Sequence, residues 1–333
     1  MPQSEFALRT GMTIKNLSTL INGKSNITFE VAEKLSRFFG NRIDFWTNLQ
    51  NNYDLFLRKE AIEKEYENDW KIVRLLNKDF LRRVCFIEIS EQSKTDIIDE
   101  LRTTLMVSCL SNLKNVEMFA LFKAAGSYRN NETQTVLRNV WISLAMKKAM
   151  DLTCGKYDTE KLLKMLPDLK RLTMLPPEEF TPLLQAKLSD AGIRYVELPY
   201  LEGSGIRGMS KWIPGEECVV MAINDCNRIS DRIWFTIFHE LGHVIKNHKR
   251  HFVVSLDNDE STEEKEADLF ARNTLIDPKH LQAFVTKGAF DLDSICHFAE
   301  QEGVSKDIII GRLENDHVID PDLYDVFKNN FGV

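Results

Sequence analysis

Residues 234–243 read WFTIFHELGH, which places the pattern H-E-x-x-H at positions 239–243. Side chains four residues apart share one face of a helix, so His239 and His243 can both reach a single metal ion. Glu240 projects beside that pair, where its carboxylate can take a proton from a metal-bound water. The neighbouring apolar residues predict a buried helix, in which a histidine pair needs a partner that offsets its desolvation. The stretch therefore predicts a metal site, with zinc as the expected ion.

A catalytic zinc ion needs a third protein ligand and one open coordination position. The acidic segment ESTEEKEAD at residues 260–268 offers four glutamates. Among them, Glu264 has an aspartate one helical turn later, Asp268, which could accept the free N–H of a ligand histidine. Glu264 is therefore the predicted third ligand and Asp268 its supporting residue, with Glu263 and Glu260 as alternatives. Taken alone, such an acidic run would indicate a solvated helix face.

Two histidines soon after the motif, His248 and His251, are competing ligands. In the longer pattern H-E-x-x-H-x-x-G-x-x-H, the third histidine would fall at Lys249 and the glycine at Lys246. The acidic helix is therefore preferred over these histidines. On that helix, Leu269 and Phe270 are expected to face the core.

Around the motif, the sequence alternates between short strands and helices. Strands are predicted at residues 195–199, 208–212, 218–223 and 252–256, and helices at 178–191, 229–247 and 261–276. A small sheet with two facing helices is an α+β layout. The strand at 208–212 is either an edge to which an extended peptide adds or an ordinary sheet strand with Trp212 in the core.

The N-terminal region has a different pattern, of short helices separated by turns. Helices are predicted at residues 4–10, 14–21 and 28–39, with stops at Gly11, Asn22-Gly23 and Gly40 and an N-cap at Thr13. Two helices joined by a short turn that contains glycine form a helix-turn-helix arrangement.

The region between these parts is helical and charged, with a loop predicted at residues 130–133, and it fits a spacer or a dimerising layer. The chain is thus predicted to be multidomain. An all-α helix-turn-helix domain at 1–58 and a helical middle region at 59–150 precede an α+β domain at 151–333, which has a small sheet and the H-E-x-x-H helix.

Composition narrows the classes of protein that this chain can represent. Of the 333 residues, 43% are apolar and 28% are charged, as in ordinary globular domains. A net charge of -7 argues against a protein that coats nucleic acid along its length, but it leaves room for one DNA-reading module. The six cysteines form no C-x-x-C pair and are expected to be reduced. Without a signal peptide or a membrane-spanning stretch, a cytoplasmic location and no membrane partner are expected.

The segments FTIFHELGH at 235–243 and EKEADLFA at 264–271 resemble the ImmA/IrrE family of zinc metallopeptidases. The resemblance extends from about residue 151 to the end. It implies His239, His243 and Glu264 as zinc ligands and Glu240 as the general base. It also implies that the protein cleaves DNA-binding repressors in stress responses or mobile elements.

The N-terminal region is similar to HigA-like antitoxins of the Cro/C1 repressor class, in segments 17–24, 27–32 and 45–50. The resemblance implies a further helix before residue 4, which this chain begins too late to include. It also implies that Lys15, Asn16 and Ser18 face the major groove of DNA and that Gln3 and Lys24 lie near phosphates.

These observations favour a zinc-dependent endopeptidase that acts in transcriptional or stress regulation on a repressor or antitoxin-type partner. The alternative is a DNA-binding regulator or antitoxin in which the peptidase fold serves sensing or partner binding. A third hypothesis is a toxin–antitoxin or phage-defence component whose peptidase is silent until triggered. Operator DNA and a second copy of the chain are further candidate partners.

Overall fold

A computed structural model of the chain divides into two compact units, residues 1–69 and residues 70–333. No helix among the described residues is long and apolar enough to cross a membrane. The structure describes residues 1–87, 92–115, 132–213, 215, 217–225, 230–246, 252–256 and 261–320.

The first unit is built from helices, as the spacing of its apolar residues predicts. Three short helices, α1 (Gln3–Thr10), α2 (Ile14–Ile21) and α3 (Phe29–Phe39), precede the long α4 (Ile43–Val73), of which residues 43–69 belong to this unit. The buried apolar side chains of the three short helices are Ala7, Leu17, Ala32 and Leu35.

The ends of these helices lie where the sequence predicts them. The Thr13 hydroxyl oxygen accepts a hydrogen bond from the backbone N–H of Asn16 at 3.1 Å, which caps α2. Gly11 and Gly40 follow α1 and α3 with φ of 66° and 70°, a left-handed conformation that glycine adopts without steric cost. The predicted helix-turn-helix arrangement is confirmed in α1 and α2.

The second unit begins with helical segments that include α5 (Lys78–Phe80), α6 (Lys94–Thr104) and α7 (Glu132–Met150). The loop predicted at 130–133 is wrong in its second half, because Glu132 and Thr133 form the first turn of α7. Residues 130 and 131 lie outside the described residues. The side chains of Glu132 and Thr133 are exposed, but most side chains of the following turns of α7 are buried. Packing of those turns stabilises the helix, which extends into a stretch whose local composition favours a turn.

A four-stranded sheet forms the centre of the second unit. Its strands are β1 (Ile193–Leu198), β2 (Ile206–Ile213), β3 (Cys218–Asn224) and β4 (Phe252–Leu256). Their order across the sheet is β1-β3-β2-β4, with β1 parallel to β3 and the other pairs antiparallel. All four predicted strands are present, which confirms the α+β layout of this region.

The position of β2 corrects one of the two interpretations of residues 208–212. β2 pairs with β3 on one side and with β4 on the other, with Gly208 opposite both Ile223 and Ser255. It is therefore not an edge strand, and Trp212 packs partly buried against the core. The edge on this side is β4, which has no second partner strand among the described residues.

Helices surround this sheet. α8 (Thr159–Arg171) and α9 (Pro177–Asp190) precede it, α10 (Ser230–Ile245) follows β3, and α11 (Thr262–Leu275) follows β4. Three further helices follow α11 in the chain: α12 (Pro278–Lys287), α13 (Leu292–Glu302) and α14 (Lys306–Asn315).

The face that α11 turns to the core differs from the one expected. Leu269 is 58% exposed, whereas Phe270 is partly buried against the core. The buried face carries Ala267 and Ala271 instead. Small side chains are needed there because α10 and α11 approach closely, so the expectation for Leu269 is wrong.

Candidate metal centre

The histidine pair lies on a helix that its apolar residues anchor in the core. Trp234, Ile237, Phe238 and Leu241 of α10 are fully buried among the core side chains. The H-E-x-x-H motif lies on the same helix, and its histidine side chains are also buried. His239 is 3% exposed and His243 is 1% exposed.

Glu264 reaches the histidines because α10 and α11 come close together at a glycine. A Cβ atom added at Gly242 would lie 3.2 Å from the Cα of Ala267 and 3.1 Å from a ring carbon of Phe270. The backbone N–H of Glu264 donates to the hydroxyl of Ser261 at 3.4 Å, so the ligand candidate lies in the capped first turn of α11.

Two imidazole nitrogens and the carboxylate of Glu264 converge between these helices. His239 Nε2 lies 3.1 Å from one Glu264 carboxylate oxygen, and His243 Nε2 lies 3.1 Å from the other. The two Nε2 atoms are 3.0 Å apart. Tetrahedral ligands at the usual Zn–N and Zn–O distances lie about 3.3 Å from one another. The residues present therefore fit a zinc ion as three ligands, with a fourth position left for water.

Asp268 contacts one of these histidines. Its carboxylate lies 2.8 Å from His239 Nδ1, so with a metal bound Nδ1 would donate its proton to the carboxylate and Nε2 would present its lone pair to the ion. Metal-binding imidazoles usually have such a partner, which sets the tautomer and the direction of the ring.

Glu240 is fully buried beside these atoms, in space left by a glycine. A Cβ atom added at Gly208 of β2 would lie 2.8 Å from the Glu240 carboxyl carbon and 2.9 Å from its Cγ. No well-aligned hydrogen bond from the described residues reaches either carboxylate oxygen of Glu240, although the hydroxyl of Ser255 is close enough to lower the pKa of this carboxyl. A buried carboxylate without such a bond is costly, and a water held at the open metal position would supply one.

The protonation of the metal-free centre follows from burial and close pairing. Burial alone would lower the pKa of His239, but the hydrogen bonds to Asp268 and Glu264 outweigh it and raise the pKa to about 9. Burial alone would raise the pKa of Glu264, but the two histidines lower it to about 2. For Glu240, burial dominates and raises the pKa, and both histidines oppose this shift.

One residue of the centre was not anticipated from the sequence. Ser255 of β4 is 1% exposed and its hydroxyl lies 3.3 Å from His239 Nε2. It belongs to no recognisable motif, and only the pairing of β4 with β2 brings it to the histidines.

None of the alternative metal ligands considered from the sequence is seen at this centre. Glu263 is half-buried and does not belong to the group formed by His239, His243 and Glu264. Glu260, His248 and His251 lie outside the described residues.

The side chains expected at DNA lie in the first unit. Lys15 and Asn16 are exposed in the first turns of α2, and Ser18 is half-buried one turn later. Its backbone oxygen accepts a hydrogen bond from the side chain of Asn22 at 2.7 Å. Gln3, at the start of α1, and Lys24, after α2, are also exposed.

Comparison with known protein families agrees with both parts of this arrangement. Residues 1–46 match a family described as helix-turn-helix, and residues 188–314 match a peptidase family described as IrrE N-terminal-like domain. The chain carries an IrrE N-terminal-like domain behind a helix-turn-helix. The matched region of the IrrE N-terminal-like domain runs from the end of α9 into the last turn of α14, so it contains the whole candidate centre. No curated protein matches the chain.

Proposed function

We propose that this protein is a zinc-dependent endopeptidase that acts in transcriptional or stress regulation. In this proposal His239, His243 and Glu264 hold the metal, Asp268 orients His239, and Glu240 is the general base. The observation that carries it is the convergence of three buried metal-ligating atoms next to a buried carboxylate that no well-aligned hydrogen bond from the described residues reaches.

The chain's own residues divide the chemistry between binding and proton transfer. Zinc, when bound, would supply Lewis-acid activation of a water molecule and of the peptide carbonyl. Glu240 takes the proton of the attacking water and then delivers it to the leaving amine. Burial raises the pKa of Glu240 from the usual value of a carboxyl, which makes its carboxylate a stronger base for the proton of the water.

The sheet supports a mode of substrate binding through main-chain atoms. Ser255 of β4 lies 3.3 Å from His239 Nε2, and the outer side of this strand pairs with no strand among the described residues. An extended peptide can add to such an edge by backbone hydrogen bonds, which require no particular sequence. The helix-turn-helix in the same chain favours a substrate from the same regulatory system, a repressor or antitoxin-type protein.

A second candidate function is DNA-binding regulation, in which the peptidase fold serves sensing or partner binding. It is favoured by the helix-turn-helix match at residues 1–46 and by the exposure of Lys15 and Asn16 on α2. A toxin–antitoxin or phage-defence role, with a peptidase that is silent until triggered, combines both candidates.

The decisive experiment is the Glu240→Gln substitution, which keeps the shape of the side chain but removes the base. We expect bound zinc to remain stoichiometric, while cleavage of a repressor or antitoxin encoded beside this protein falls roughly 10²–10⁴-fold. Glu264→Ala is the contrasting variant, and it should lose zinc and cleavage together. Mass spectrometry of the substrate and elemental analysis of the enzyme measure the two effects. Undiminished cleavage by Glu240→Gln would contradict the assigned chemistry.

A further inference from the structure

A cavity of about 490 Å³ lies at the N-terminal end of α10, between α10, α11, α14 and the ends of the central strands. This volume is typical of a ligand pocket and exceeds that of a single side chain. Part of its lining is apolar and buried, and includes Leu275, Ile276 and Ile308.

Both metal-site helices lead from the candidate centre into this cavity. Phe235 lines the cavity and lies one turn before His239, with 6.3 Å between the two ring centroids. Arg272 also lines it and continues the face of α11 that carries Glu264 and Asp268. Phe235 therefore places one wall of the cavity about one helical turn, about 5.4 Å along α10, from the proposed ligand His239.

The sheet leads to the same place. Ser255 touches His239, and the next residue of β4, Leu256, accepts a hydrogen bond from the guanidinium of Arg207 at 2.8 Å. Arg207 lines the cavity. A peptide that lies along the free edge of β4, with its cleaved bond near Ser255, has its neighbouring residues at the Leu256 end, since each residue advances about 3.3 Å.

Guanidinium groups outnumber carboxylates on the cavity wall. Arg312 is paired with Asp316 at 2.6 Å, whereas Arg272 lies 4.0 Å from the same carboxylate and is less tightly held. Arg232 has no ion-pair partner among the residues that the structure describes, and it is exposed at the rim. The charged side chains that line the cavity are Arg207, Arg232, Arg272, Arg312, Asp231 and Glu314.

We propose that this cavity is a substrate subsite that takes an acidic side chain, Glu or Asp, within two residues of the cleaved bond. The proposal rests on the peptidase function proposed above. Guanidinium groups bind carboxylates through paired N–H donors, and the apolar part of the lining accommodates the methylene stem of the side chain. Arg232 and Arg272 are the residues that would select the acidic side chain.

The test uses the full-length, zinc-loaded protein and a mixture of peptides randomised on both sides of a central bond. We expect the cleaved peptides to be enriched in Glu or Asp at one of the two positions nearest the cleaved bond. In a matched pair of peptides that differ only by Glu or Gln there, the acidic one should be cleaved at least about tenfold more efficiently. Whether the acidic residue precedes or follows the cleaved bond shows in which direction the peptide runs along β4.

Charge reversal identifies the residues responsible. Arg232→Glu and Arg272→Glu should abolish the preference for Glu over Gln and introduce a preference for Lys. Arg171→Glu, at an exposed arginine of α8 that does not line the cavity, is the matched control and should keep the preference. Zinc content shows that each variant is folded, and the milder Arg272→Gln replaces any variant that is not.

A second readout separates this proposal from the peptidase function itself. Zinc-loaded Glu240→Gln protein should bind the Glu peptide at least about tenfold more tightly than the Gln peptide, in isothermal titration. If no peptide or candidate repressor is cleaved, the peptidase function fails and the binding comparison still decides the subsite. If the Glu and Gln peptides are cleaved with equal efficiency and bound with equal affinity, the proposed subsite is wrong.

Discussion

The space beside β2 that holds the Glu240 carboxylate exists only because residue 208 has no side chain. We therefore expect Gly208→Ala to displace the carboxylate, since the added Cβ would lie 2.8 Å from its carboxyl carbon. Zinc should stay bound, while cleavage falls by at least about tenfold, as for a misplaced general base. Elemental analysis and a cleavage assay measure the two properties.

The matched control is Gly155→Ala, where a Cβ would meet its nearest atom, the backbone oxygen of Asp190, at an ordinary 3.7 Å. It should leave both zinc content and cleavage unchanged. Wild-type cleavage by the Gly208→Ala protein would show that the carboxylate does not act from this position.

At His239, the raised pKa predicts how zinc binding depends on pH. With a pKa of about 9 in the metal-free protein, the imidazole is protonated at pH 7, and zinc must displace that proton. The apparent zinc affinity should therefore rise with pH up to about 9 and then level off, by about tenfold per unit for one proton.

Calorimetric titration of the metal-free protein in buffers of different ionisation enthalpy measures the released proton. Asp268→Asn removes one of the two hydrogen-bonded carboxylates that raise this pKa, so it should reduce the proton release at pH 8. Zinc binding that is independent of pH between 6 and 9 would refute the expectation.

Among the elements, α10 and α11 determine whether the ligands meet. A leucine at Gly242 would push against Ala267 and Phe270, which already lie within 3.3 Å of an added Cβ. We expect Gly242→Leu to lower the free energy of unfolding by about 1–3 kcal/mol, as overpacking does, and to weaken zinc binding because Glu264 moves away from the histidines.

Leu269→Ala is the control on the same helix. Its side chain is 58% exposed, so the change in unfolding free energy should stay within about 0.5 kcal/mol. Denaturant titration with zinc analysis compares the two variants. Equal stability of Gly242→Leu and wild type would mean that the helices can separate without cost.

The second element with a testable role is α2. If it reads an operator, Lys15→Ala and Asn16→Ala should each weaken specific binding by about 1–3 kcal/mol. Lys59→Ala, at an exposed lysine of α4, is the control and should retain specificity for the operator. Fluorescence anisotropy with specific and random duplexes measures the difference. Equal affinity of wild-type protein for both duplexes would exclude sequence reading by α2.

For the whole molecule, the division into residues 1–69 and 70–333 separates the two kinds of proposed chemistry. All residues of the candidate centre belong to the second unit, and all residues expected at DNA belong to the first. The domain boundaries at 58 and 150 remain predictions. The helical stretch between the two matched families lies mostly in the second unit, where α7 is buried on most of its surface.

The sequence by itself determined the features that depend on neighbours along the chain. Helix ends at Thr13 and Gly40, the helix that carries His239 and His243, and the four strands all follow from local capping and periodicity. The placement of Glu264 with an aspartate one turn later could also be inferred, because both lie on one helix.

Only the tertiary structure decided which distant segments touch. The pairing of β2 with β4 makes β4 the edge and brings Ser255 to His239, and strand order depends on contacts that no local pattern encodes. The fit of Gly208 around Glu240 and the exposure of Leu269 have the same origin. Each depends on how closely two separate elements approach, which is settled by packing across the core rather than by sequence spacing.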